Sequence, residues 1–332
     1  MQWINYKKSV SLIFLTLFIG IAVSFWQVNR MLYVSMLPEN ASPTIITIDR
    51  STTAYQLAYS LQNKQLIPSA RALLWVIRYK DLAHRLKAGV YQIAPGDTPM
   101  SLLEKIVNGA VIVQYFAIIE GSTQKKVDED LRKANYLFYQ PEAWSIVQGK
   151  YSNAEGLLLA DTYQYQGGSG SEKLLLQAHN SLIAYLNNCW NSRDDNLPYK
   201  TPYELLIAAS IIEKEASIPA ERKLISGVMI NRLRKKMPLQ MDPTVIYGLG
   251  NDYQKKLTHN DLLIPSPYNS YLNRGLPPTP IAMVGKESID AAAHPQLSNY
   301  LYYVAKGDGS HQFSETYEQQ KQAINQFRRK DH

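Results

Sequence analysis

Tyr203-Glu-Leu-Leu-Ile-Ala-Ala-Ser-Ile-Ile-Glu-Lys-Glu-Ala-Ser-Ile-Pro219 is an apolar helical run that ends on two closely spaced carboxylates. At roughly 100° per residue, Glu213 and Glu215 point about 200° apart, so only one of them can face a given cleft. A polar side centred near Ser210, Lys214 and Ser217 would lie about 70° from Glu213 but about 130° from Glu215. Glu215 therefore falls in the apolar stripe beside Ala208, Ile211 and Ile212. Burial there penalises the charged form and raises the pKa, which suits a general acid near neutral pH. Glu213 reads as the solvated partner. The pattern alone also admits an ordinary exposed Glu-Lys-Glu face.

The run belongs to a chain of 332 residues, 45% of them apolar, enough for two globular units and an anchor. The single cysteine, Cys189, rules out an intramolecular disulfide and a cysteine-rich metal site. The six histidines lack the spacing of a metal motif, and neither a metal nor a cofactor is expected. The net charge of +7 is spread without a long basic tract, which fits an anionic surface better than nucleic acid, and no nucleic-acid partner is expected. Twenty-three tyrosines supply flat apolar faces with polar tips, suited to stacking on sugars as well as to cores.

Val10–Trp26 is uncharged and follows Lys7 and Lys8, which predicts a membrane anchor over 10–28 with a cytoplasmic tail at 1–9 and the rest exported. A cleaved leader ending near Ala22-Val-Ser24 is the competing reading; Phe25 and Trp26 directly after it favour an anchor. Residues 44–118 carry strand patterns at 44–49, 87–93 and 110–119 and helical patterns at 53–63, 69–80 and 99–107. This small α+β module resembles the LysM-like subdomain of cell-wall enzymes. A larger α+β domain, 119–332, carries the candidate acid on its helix. The Gly167-Gly-Ser-Gly170 run reads as a flexible loop without phosphate-cradling spacing.

Downstream come Ile230-Asn-Arg-Leu-Arg234, Leu239-Gln-Met-Asp-Pro-Thr-Val-Ile-Tyr-Gly248, Ser266-Pro-Tyr-Asn-Ser-Tyr271 and Gly275-Leu-Pro-Pro-Thr-Pro-Ile281. Proline-stiffened loops rich in amides and hydroxyls are what a groove for a polar polymer needs. Gln240, Asp242, Tyr247, Tyr268, Asn269 and Tyr271 are the candidate groove residues. Asp242 equally suits the cap of a segment opening at Pro243, and Glu155 is a reserve second carboxylate.

The order of these motifs, with Asp242-Pro-Thr-Val-Ile-Tyr247, Tyr300-Leu-Tyr-Tyr-Val-Ala305 and Gly309-Ser-His-Gln-Phe313, resembles the membrane-anchored endolytic murein transglycosylases, the YceG-like family. The family's catalytic glutamate lies in the Glu-Lys-Glu helix and aligns with Glu215. One departure is Ala160, where the family has proline before Asp-Thr. The resemblance implies cleavage of the β-1,4 bond between N-acetylmuramic acid and N-acetylglucosamine with closure of a 1,6-anhydro ring. It also implies a single-pass protein of the cytoplasmic membrane with its catalytic domain outside, glycan strands as substrate and peptidoglycan synthases (penicillin-binding proteins) as candidate partners. A lysozyme-like hydrolase and a non-enzymatic wall-binding scaffold are the alternatives.

Overall fold

The computed structural model describes residues 2–250, 253 and 257–328. The side chains of residues 1–14, the expected cytoplasmic tail among them, lie outside the described part, as do Arg329 and Lys330. The chain divides into a smaller unit, residues 1–114 with 135–137 and 166–169, and a larger unit made of the remainder.

In the smaller unit, helix α1 (Gln2–Tyr33) contains a 19-residue stretch, Leu15–Tyr33, long and apolar enough to cross a membrane. Leu17, Phe18, Ile21 and Phe25 are exposed, whereas Leu32 is buried in the core and Val28 packs against it. Strands β1 (Thr44–Ile48) and β2 (Gly89–Ile93) pair antiparallel, with Thr44 opposite Ile93 and Ile48 opposite Gly89. The two-residue alternation buries Ile46, Ile48, Tyr91 and Ile93 against helices α2 (Ala54–Asn63), α3 (Ala70–Tyr79) and α4 (Pro99–Asn108). Each helix starts where the sequence supplies a hydroxyl cap, at Thr53, Ser69 and Thr98.

The long strand expected over 110–119 shortens to β3 (Val113–Ala117). Before it, Ile112 spends its amide on the Val90 carbonyl (2.8 Å) and its carbonyl on the Gly167 amide (2.8 Å). The glycine run expected to be a flexible loop is thereby pinned: Gly168 also donates to Tyr136 (2.7 Å). A Cβ on Gly168 would meet the Gly89 backbone at 3.1 Å, so glycine here permits close backbone approach.

The larger unit begins with α5 (Gln124–Lys133) and α6 (Ala143–Gln148), followed by β4 (Thr162–Gln166), which pairs with β3. Helices α7 (Ser171–Ser192), α8 (Pro202–Glu215), α9 (Arg222–Arg234), α10 (Asp242–Leu249) and α11 (Lys286–Ala293) build its core. The antiparallel pair β5 (Tyr302–Ala305) and β6 (His311–Ser314) and helix α12 (Tyr317–Arg328) complete it.

Helix α8 is central, and every residue from Leu205 to Ile212 is buried. It packs against α7, α9, α10 and α11, and the small Ala208 and Ala209 on α8 and Ala291–Ala293 on α11 are all fully buried. The polar side inferred around Ser210 is therefore a correction: Ser210 is fully buried, donates to the Ile207 carbonyl (2.7 Å) and accepts from the Ile281 amide (3.0 Å). Its hydroxyl is satisfied inside the protein, so a polar residue type did not mark a wet face.

Helix α9 holds the segment that leads into β5. Asn231 donates to the carbonyls of Ser298 (2.8 Å) and Tyr300 (3.0 Å), and the Gln296 amide donates to Lys223 (2.9 Å). Gly227 makes this approach possible, because a Cβ there would stand 2.3 Å from the Gln296 carbonyl oxygen. A helical Gly→Ala change ordinarily gains about 1 kcal/mol. We expect Gly227→Ala instead to lose about 1–3 kcal/mol through overpacking, read by denaturant unfolding; a gain would show that the contact does not constrain α9.

Candidate active site

Glu215 is the last residue of α8, and Ala216 leaves the helix with φ −82° and ψ 97° before Ser217-Ile-Pro219. The rigid, buried helix thus delivers one carboxyl group at its end. Glu215 keeps partial solvent access, and the groups around it come from three further elements: Arg232 of α9, Asp242 of α10 and Tyr303 of β5. Burial lifts its carboxyl to about 7, with the Asp242 charge pushing the same way; the Tyr303 hydroxyl, bonded to it, and the Arg232 guanidinium oppose the rise. A carboxyl half protonated near neutrality can both give and take a proton.

Arg232 is buried, and its guanidinium organises the surroundings. It donates to the carbonyls of Leu301 (2.6 Å), Pro238 (3.2 Å) and Leu239 (2.7 Å) and to Oε1 of Gln240 (3.2 Å). Gln240 is exposed and sits at φ +53°, an uncommon backbone state for a residue other than glycine, held by its amide bond to the Ser270 carbonyl (3.0 Å). The Tyr303 hydroxyl also lies 3.1 Å from Sδ of Met241, which brings β5 against the start of α10.

Asp242 is exposed at the first position of α10 and does not cap it. The buried hydroxyls of Thr244 and Ser270 bind the Met241 backbone there (2.6 Å and 2.9 Å), leaving the Asp242 carboxylate to accept from the Tyr271 hydroxyl (2.6 Å). Gln240, Asp242 and Tyr271 therefore gather beside Glu215. Tyr247 and Tyr268 form a second pair further along α10, with rings edge to face at 4.8 Å. Tyr247 donates to Glu155 (3.2 Å), and the Tyr268 hydroxyl meets that of Thr279 (2.9 Å).

Two expectations need correction. Asn269, expected in the groove, is fully buried: its amide donates to Leu262 (3.0 Å) and Ile264 (2.9 Å) and its oxygen accepts from the Tyr271 amide (3.0 Å). It shapes the loop that carries Tyr268 and Tyr271. Glu213, expected in solvent, has a side chain only 3% exposed, pairs with Arg222 (3.3 Å) and accepts from the Gly285 amide (2.9 Å). An ion pair closes over it because the end of α8 is packed on both sides. Glu155, the reserve carboxylate, is buried with its oxygens engaged by the Gln124 amide (2.9 Å) and Tyr247, and burial lifts it too to about 7.

Arg232 and Tyr303 were given no role from sequence. Arg232 had a signal, since Ile225, Val228, Met229 and Arg232 follow a helical stripe that puts an arginine among core residues. Tyr303 had none, standing among Tyr300, Tyr302 and Tyr303 in one short segment.

The fold and site define a mixed α+β protein with an N-terminal apolar helix and a carboxyl group of raised pKa at the end of a buried helix. The model of the YceG-like family matches residues 46–326, and the chain belongs to that family. It is 30% identical over 307 residues to the endolytic murein transglycosylase of Bacillus subtilis, covering 85% of this chain and 84% of that protein. It is 26% identical over 313 residues to the endolytic murein transglycosylase of Streptococcus pneumoniae strain D39, covering 82% of this chain and 56% of the longer relative. A crystal structure of a YceG-like protein from Listeria monocytogenes matches with a TM-score of 0.53 at 27% identity, over 85% of this chain and 99% of that one.

The two glutamates of α8 respond differently to substitution. Removing one member of a buried ion pair costs about 3–5 kcal/mol, so Glu213→Ala is expected to lower the melting temperature sharply. Glu215→Gln has the opposite sign. The folded pKa of about 7 lies above the ordinary 4.5, so wild-type stability falls as pH rises through that window. The glutamine variant escapes the loss and should gain on wild type by up to about 3 kcal/mol between pH 4.5 and pH 8. Unfolding curves at the two pH values test this; a pH-independent difference would mean that Glu215 is not desolvated.

Proposed function

We infer that this chain is an endolytic lytic transglycosylase of peptidoglycan, with Glu215 as its catalytic residue. The reading is carried by one observation: the aligned glutamate is a carboxyl group raised to about 7, set among Tyr303, Arg232 and the exposed Asp242. Protonated Glu215 donates to the glycosidic oxygen between N-acetylmuramic acid and N-acetylglucosamine as the sugar gains oxocarbenium character. The resulting carboxylate then takes the proton of the muramoyl 6-hydroxyl, whose oxygen bonds to the anomeric carbon and closes the 1,6-anhydro ring. The nucleophile is already part of the substrate, so no water has to be activated. The Tyr303 hydroxyl stabilises the carboxylate stage, and Gln240, Asp242 and Tyr271 offer polar contacts to the reacting sugars.

The proposal extends to setting. The exposed apolar Leu15–Tyr33 helix anchors the chain in the cytoplasmic membrane, its N-terminus inside and the residues from 44 onward outside, where glycan strands and their synthases are found. We read residues 44–118 as the LysM-like module and 119–332 as the catalytic domain.

Asp242 also gives a second reading its footing, because an exposed carboxylate near the acid could activate water in a lysozyme-like hydrolysis. Mass spectrometry of fragments released from isolated sacculi separates the two. Anhydro ends, lighter by one water, are expected from wild type, with turnover down at least about 100-fold in Glu215→Gln; reducing ends would establish hydrolysis. The pH profile gives a further check. Turnover should decline as pH rises through about 7, and Tyr303→Phe, which removes a group favouring the carboxylate, should move that decline to higher pH. An unmoved limb would exclude Tyr303 from the proton chemistry.

A further inference from the structure

The larger unit holds a cavity of about 460 Å³ beside Glu155. Gln124, Asp128, Tyr139, Trp144, Glu155 and Tyr247 line it, and the exposed Lys125 and Arg132 stand at its rim. The mechanism at Glu215 uses none of these side chains. Tyr247 nevertheless ties the cavity to that site, because it lies five residues after Asp242 on α10, about 7.5 Å along the helix axis. The loop carrying Tyr268 and Tyr271 runs alongside, Tyr271 bonded at the Asp242 end and Tyr268 packed at the Tyr247 end. Helix α10 and this loop thus link the surroundings of Glu215 to the cavity beside Glu155.

The chemistry of the cavity selects its occupant. Burial alone would push Asp128 up, but donors from Tyr139, Trp144 (2.7 Å) and Arg132 (3.0 Å) outweigh it and hold the group below the ordinary carboxylate range. Asp128 is therefore an anion already compensated by its own arginine. Arg132 in turn covers the Tyr139 ring at 4.2 Å. Glu155 spends its oxygens on a backbone amide and a tyrosine hydroxyl. A polar concavity whose Asp128 is neutralised by its own arginine, lined by a carboxyl and an indole, fits a polyhydroxylated ligand rather than an apolar group.

We propose that the cavity beside Glu155 is a second carbohydrate subsite, which takes an N-acetylated hexosamine of the same glycan strand whose scissile bond lies at Glu215. The proposal rests on the functional reading above. It gives that reading a device for cutting inside a strand: a strand end too short to reach from Glu215 to Glu155 forfeits the second contact.

Binding in the absence of turnover tests it, with the full chain in detergent micelles carrying Glu215→Gln and with chitobiose and chitohexaose as probes. Chitohexaose should bind at least tenfold more tightly than chitobiose. Adding Lys125→Ala at the rim, or Glu155→Gln at the floor, should remove at least fivefold of the chitohexaose affinity and leave that for chitobiose alone. Lys125 is exposed, so its variant keeps the test open if Glu155→Gln lowers the melting temperature. Unchanged chitohexaose affinity in both variants would overturn the subsite. So would a loss confined to strands that still bear stem peptides, measured against peptide-stripped strands, which would assign the cavity to peptide. Because binding is read without cleavage, failure of the subsite is distinct from failure of wild type to release anhydro ends.

Discussion

The structure turns on the desolvation of one carboxyl group at the end of a helix buried around its whole circumference. Helix α8 has no wet side between Leu205 and Ile212; its packing is complete until the chain reaches Glu213 and Glu215. A helix held on all sides cannot tilt to relieve an awkward terminal residue. The protein instead satisfies one glutamate with an ion pair and leaves the other among groups that pull its proton equilibrium in opposite directions. Burial and Asp242 favour the neutral acid, whereas Tyr303 and Arg232 favour the carboxylate. The outcome near neutrality is a balance, and a balance of this kind is what a group acting first as acid and then as base requires.

The surrounding architecture keeps that balance in place. Arg232 ties three backbone carbonyls and Gln240 into one cluster, while Asn231 grips the segment that becomes β5. β5 is secured from its other edge by β6, whose His311 bonds Glu221 through both its amide (3.0 Å) and its ring (2.7 Å). Tyr303 therefore reaches Glu215 from a strand fixed at both sides. The left-handed backbone at Gln240 fits the same pattern: a strained conformation persists where its neighbours over-determine it.

Much of this was legible in the residues. Strand patterns marked β1 and β2, helical periodicity marked α2, α3 and α4, and the offset of Glu213 from Glu215 separated two carboxylates with different surroundings. The reason assigned to that offset was nevertheless wrong in part. Ser210 and Glu213 looked like a solvated side, yet both are satisfied by partners more than 70 residues away or across the next helix, Ile281, Gly285 and Arg222. Helical periodicity reports which residues share a face, not whether that face meets water or another polar group. Asn269 illustrates the same limit, since an amide in a proline-rich loop can line a groove or build the loop, and only tertiary contacts distinguish the two.

Glu155 completes the picture of how acids are used here. It and Glu215 are both pushed to about 7 by burial, but their partners differ in kind. Glu215 has a carboxylate neighbour and partial access to solvent, so its proton can be exchanged with something that enters the site. Glu155 has a backbone amide and a phenol as partners, both donors that orient its oxygens and leave little freedom to turn. A similar upward shift thus arises in two different settings. A carboxyl with an open approach can exchange its proton, whereas one clamped by donors keeps a fixed geometry, and α10 contributes a side chain to each setting, Asp242 beside Glu215 and Tyr247 on Glu155.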